Sequence, residues 1–104
     1  MGRFSVKDVT GYLESLAPLA YQEPYDNAGL ITGDPDWEVK GILVGLDCTE
    51  LVIDEAISRG CNLIVTHHPI IFKGLKRLTG GNYVERTVIK AIRREVAIYG
   101  IHTN

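Results

Sequence analysis

The chain has 104 residues, with 11 basic and 13 acidic side chains, three histidines, two cysteines and a net charge of -2. That length fits one domain with a single core, and 45% apolar with 23% charged residues is ordinary for a globular protein. No basic block marks a nucleic-acid surface, no apolar run approaches the roughly 18 residues of a membrane span, and the opening MGRFSVKDVT lacks the apolar core of a signal peptide.

These features lead us to expect neither nucleic acid nor membrane as a partner. Two cysteines outside any CxxC pair, Cys48 and Cys61, suggest a reducing, cytoplasmic setting.

The first element begins at Ser5. The run SVKD has the form of a capping box, and Val6, Val9, Leu13 and Leu16 recur at helical spacing until Pro18. Residues 21–39 are rich in Pro, Asp, Asn and Gly and read as a long loop, with one short strand near Leu30–Thr32. From Gly41 the run GILVGLD reads as a strand buried on both faces. Thr49 can cap a helix over 50–59, with Val52, Ile53, Ala56 and Ile57 inward and Gly60 as its C-terminal glycine.

NLIVT (62–66) is a second buried strand, followed by a loop over 67–81. Asn82 can cap a helix reaching about Arg94, with Val84, Val88, Ala91 and Ile92 inward. VAIYGI (96–101) is a third strand. The expected fold is α/β: one domain over 1–104, a mostly parallel sheet joined by right-handed crossovers, and helices packed on its faces.

Ligands of an open parallel sheet bind beyond the carboxyl ends of its strands. Here those ends are Asp47, the pair His67-His68, and His102, so every histidine in the chain falls at one rim. A single strand-end histidine is usually a hydrogen-bonded structural residue. A strand-end aspartate often caps the following helix, and Asp47 could assist Thr49 in this way. Three imidazoles and a carboxylate at one rim instead favour an ion site for zinc, iron or a similar metal. Neighbours in a regular strand point to opposite faces, so both His67 and His68 can serve one site only where the strand has ended. Pro69 biases His68 towards an extended backbone there.

Other patches carry less. Cys48 lies at a helix N-terminus, where the dipole lowers a thiol pKa, and with a histidine nearby it would be a rival nucleophile. A small thiol packed at a strand–helix junction is the plainer account of it. YDNAGL (25–30) reads as a tight turn. The cations of FKGLKR (72–77) would suit an anionic substrate, although a solvated surface explains them as well.

Taken together, YDNAGL, VGLDCT, THHPIIF and the final HTN, in this order, resemble the N-terminal part of the NIF three-like family. Its bacterial members often carry the label GTP cyclohydrolase I type 2 homologue. The resemblance runs over nearly the whole chain, with Tyr25 standing where many relatives have tryptophan. It implies half of a larger α/β fold built around two divalent ions, zinc, iron or manganese. His67 and His68 would be ligands, and His102 would lie beside the centre, with Asp47 on the same rim.

The family pattern continues past His-Thr-Asn to an aspartate ligand, and a later segment adds a histidine and a glutamate. Two histidines do not fill the coordination sphere of even one ion. The resemblance therefore implies weak or absent metal binding by this chain alone. It also implies a metal-dependent hydrolase acting on a nucleotide or related small molecule in the longer protein, assembled as a homo-oligomer. A non-catalytic metal-sensing or protein-interaction module is the alternative.

Overall fold

In a computed structural model, which describes residues 3–16, 29–67 and 77–101, the first helix α1 (Val6–Leu16) opens as its capping pattern requires. Ser5 N donates to Asp8 Oδ2 at 2.9 Å and Asp8 N donates to Ser5 Oγ at 3.3 Å. These reciprocal bonds satisfy two donors at the helix entrance. The carboxyl of Asp8 is held below the ordinary carboxylate range, chiefly by the Ser5 backbone N–H. The helix start is also tied to a distant turn: Val6 N donates to the Trp37 carbonyl at 2.8 Å and Val39 N to that of Phe4 at 2.7 Å. Among the described residues no helix is long and apolar enough to cross a membrane.

The other helices start and stop by the same local chemistry. Thr49 Oγ1 accepts from Val52 N to open α2 (Glu50–Ser58), and Asn82 Oδ1 accepts from Glu85 N to open α3 (Tyr83–Arg93). Gly60 takes φ +73° just past α2, a left-handed position that favours glycine. The matching position past α3 is Glu95, at φ +56°. It pays for that conformation with strain that glycine at 60 does not have.

Among the described residues four strands form one sheet: β1 (Gly29–Thr32), β2 (Ile42–Gly45), β3 (Leu63–Thr66) and β4 (Ala97–Gly100), in the order β1-β4-β3-β2. β2, β3 and β4 run parallel, and β1 pairs antiparallel with β4. The sheet is mostly parallel, as expected, and the short strand near Leu30 becomes its antiparallel edge. Strand alternation divides the core into two layers. Ile64 and Ile98 pack with Ile53, Ala56 and Ala91 of α2 and α3 on one face. Leu63, Val65, Ala97 and Tyr99 pack with Val6, Val9 and Leu13 of α1 on the other. Successive crossovers of one hand put α2 and α3 on the same side.

Two expectations from the sequence are corrected. β2 is not buried on both faces: it is the outer strand, with Val44 72% and Leu46 67% exposed. An aliphatic run is fully buried only with neighbours on both sides and a helix on each face, and β2 lacks an outer neighbour among the described residues. Ile92 does not face inward either and is half exposed. Val88 and Ala91 fill the middle of the inner stripe of α3, and Ile92 sits at its margin, half open to solvent beside Thr32, Gly33 and Trp37.

Candidate functional site

The register of the parallel strands builds the rim. Gly45 aligns with Thr66, and Thr66 with Gly100, so the three strands end level. The ladder runs one step further on each side. His67 N donates to the Gly45 carbonyl at 3.0 Å, and Ile101 N donates to the Thr66 carbonyl at 2.8 Å. His67 is thus anchored by its backbone while its side chain is exposed, directly after the fully buried Thr66. Asp47 is exposed two residues beyond β2 at the same end of the sheet.

The structure therefore brings His67 and Asp47 to one rim, as the strand ends predict. His68 and His102 lie outside the described residues, as do residues 25–28 of YDNAGL and residues 72–76 of FKGLKR. In sequence, position 102 follows Ile101, the last described step of the β4 ladder. An imidazole and a carboxylate are donors of the kind that zinc, iron and manganese take, so the described pair suits such an ion in chemical type. It does not complete a site: among the described residues no three His, Cys, Asp or Glu side chains come together to hold a metal. A cleft of about 420 Å³ lined by Trp37, Lys40, Asn62 and Arg93 contains no histidine and opens at the opposite end, where β2 and β3 begin.

Cys48 does not have the environment of a nucleophile. It is 3% exposed, packed with Ile53, Ala56 and Ile64, and burial pushes its thiol pKa up to about 12. Thr49 is the helix cap, so Cys48 stands just outside the helix and faces the core. Desolvation there outweighs the dipole. At pH 8 a thiol with that pKa is ionised to only about one part in ten thousand. Iodoacetamide at pH 8 should label the half-buried Cys61 first and reach Cys48 only after denaturant is added, with mass spectrometry reading the order. Rapid labelling of Cys48 in the folded chain would contradict this assignment.

Glu85 was not singled out by the sequence, although the run NYVE repeats the capping-box spacing. The residue is 9% exposed, and its carboxylate accepts from Thr79 N at 3.0 Å, Gly81 N at 3.1 Å and Asn82 Nδ2 at 3.1 Å. It thereby fixes the end of the 67–81 connection, the segment that begins with the histidine pair. The Thr79 backbone N–H, then that of Gly81, holds its carboxyl below the ordinary carboxylate range. A depressed folded-state pKa contributes stability above the unfolded carboxylate value, and that contribution is lost as pH falls through the folded one. Urea midpoints measured from neutral pH down through the carboxylate range should therefore fall less steeply for Glu85→Gln than for the native chain. Parallel slopes would show that this carboxylate is not held as described.

Comparison with known proteins agrees with this architecture. A protein-family model, Duf34/NIF3 (NGG1p interacting factor 3), matches residues 4–104. The chain is 43% identical over 99 residues to the GTP cyclohydrolase 1 type 2 homolog of Clostridium acetobutylicum, covering 95% of this chain and 37% of that protein. For the homolog in Staphylococcus aureus strain COL the identity is 40% over 99 residues, covering 95% and 27%.

Among solved structures, Staphylococcus aureus protein SA1388 superposes with a TM-score of 0.91 at 38% identity, over 98% of this chain and 29% of that one. Reduced HcgD from Methanocaldococcus jannaschii gives 0.85 at 26% identity, over 98% and 41%. The chain spans 27–37% of the length of these curated relatives. With the family model matched from residue 4 to residue 104 and the fold superposing on solved relatives, the chain belongs to the Duf34/NIF3 family.

Proposed function

We propose that this chain is the N-terminal portion of a protein that binds two divalent ions and acts as a metal-dependent hydrolase on a nucleotide or related small molecule. His67 and His68 would hold the ions, with His102 and Asp47 beside them. The observation that carries this reading is the level ending of β2, β3 and β4, with His67 pinned into the ladder at the rim that also carries Asp47. The names of the relatives support a nucleotide as the substrate class.

When bound, such ions supply Lewis acidity towards a carbonyl or phosphoryl oxygen. The chain's own contribution is positional. The His67 N–H bond to Gly45 fixes where that imidazole starts, and the Glu85 carboxylate fixes where the connection rejoins the fold. Asp47 adds a carboxylate oxygen that can accept from an imidazole N–H and hold the ring's orientation.

Equilibrium dialysis against zinc or manganese tests the assignment. The native chain should bind weakly, and His67→Ala with His68→Ala should abolish that binding. Equal binding by the native chain and the double variant would remove the histidines from the site. Two ions held per chain at submicromolar strength would show that no ligand beyond this chain is required.

The family description, which names an interacting factor, supports a second reading: a metal-sensing or protein-interaction module without turnover. Hydrolysis of nucleotides by a metal-loaded long family protein favours the first reading. Its absence across a broad phosphoester panel favours the second.

A further inference from the structure

Among the described residues β2 presents an open edge and an open face together. Gly41 and Gly45 turn their carbonyls to β3, accepting from Leu63 N at 3.3 Å and His67 N at 3.0 Å. Neighbouring residues of a strand direct their backbone groups to alternate sides. Ile42 and Val44 therefore direct their N–H and C=O at the outer edge. Their side chains are also uncovered, at 44% and 72% exposure, and Leu46 continues the row at 67%. On that face α1 lies over β3 and β4, against Leu63, Val65, Ala97 and Tyr99, and leaves the β2 row bare. The stretch ILVGL contains neither a charge nor a proline, the devices that normally keep a free edge from pairing.

We infer that this edge and its apolar row seat the part of the family's longer chains that lies outside the matched stretch, by addition of a strand to β2. The matched stretch is 37% of the Clostridium acetobutylicum relative and 27% of the Staphylococcus aureus one, so most of each relative's chain must find packing surface elsewhere or here. A second copy is the competing occupant. Three aliphatic side chains expose on the order of 300 Å² per copy, well short of the roughly 800 Å² per partner of a stable interface. A segment of the same polypeptide needs no such area, because linkage has already raised its effective concentration. This inference is independent of the metal reading, since strand addition and ion binding are read by different measurements.

Amide exchange compares two molecules: the 104-residue chain, and the same chain joined after Asn104 to the remainder of the Clostridium acetobutylicum relative. The amides of Ile42 and Val44 should exchange quickly in the first and about a hundredfold more slowly in the second. Val44→Lys with Leu46→Lys in the joined molecule should restore fast exchange there while Leu43, on the β3 side, stays protected. Equal exchange in both molecules would overturn the inference. A concentration-dependent dimer of the 104-residue chain that protects Ile42 and Val44 would overturn it too, by assigning the edge to a second copy. Should the joined molecule not fold, the intact relative replaces it. Its strand matching 42–46 must then be protected on both edges, and exchange as fast as in the short chain refutes strand addition.

Discussion

Gly33→Ala should destabilise the chain by roughly 4 kcal/mol, enough to unfold much of it if its stability lies in the usual range of about 5–15 kcal/mol. Gly33 follows β1 at φ +114°, where side-chain-bearing residues are strained. A Cβ there would stand 2.5 Å from the Ala97 Cβ and 2.7 Å from its Cα, with the Trp37 ring at 3.3 Å. Ala97 is on a central strand and fully buried, so its backbone cannot give way cheaply. Strain and overpacking each cost about 1–3 kcal/mol, against at most about 1 kcal/mol gained by restricting the unfolded chain. Urea unfolding followed by the fluorescence of Trp37, the single tryptophan, reads this corner directly. A loss below about 1 kcal/mol would show that β1 is not pressed against β4 as described.

The second large effect is expected at Ile64→Ala. Ile64 is fully buried on β3, between β2 and β4, and belongs to the cluster with Ile53, Ala56, Ala91 and Ile98. Two strands and two helices surround it, so the site cannot collapse around the missing atoms, and the loss should be about 4 kcal/mol. Ile92→Ala provides the contrast. Its side chain is half exposed at the margin of that layer, and the same truncation should cost no more than about 1 kcal/mol. Denaturant midpoints of the two variants measure the difference. Similar losses at both positions would contradict the assignment of the inner layer.

What could be read from the sequence was what local chemistry decides. Ser5 with Asp8, Thr49 with Val52, and Asn82 with Glu85 satisfy helix-end donors within four residues, so the helix starts were visible in short runs. The strand ends follow from where aliphatic runs stop, and that alone places Asp47 and His67 at one rim. The order of strands in the sheet was not visible, because Leu30 meets Tyr99 from far along the chain. The edge position of β2 was hidden for the same reason: Ile42 and Val44 look like core residues, and only the order of the described strands puts them at the outside of the sheet. For Cys48 the dipole was legible and the burial that overrides it was not, since that burial comes from Ile53 and Ile64 on two different elements.

The proposed function requires the three histidines to share one ion-binding rim, and imidazole nitrogen NMR of the uniformly ¹⁵N-labelled chain under zinc titration tests this most directly. The ring resonances of His67, His68 and His102 should shift together and saturate along a single isotherm. Independent isotherms for His67 and His102, or no response from any ring at millimolar zinc, would mean that these side chains end their strands without forming a common site.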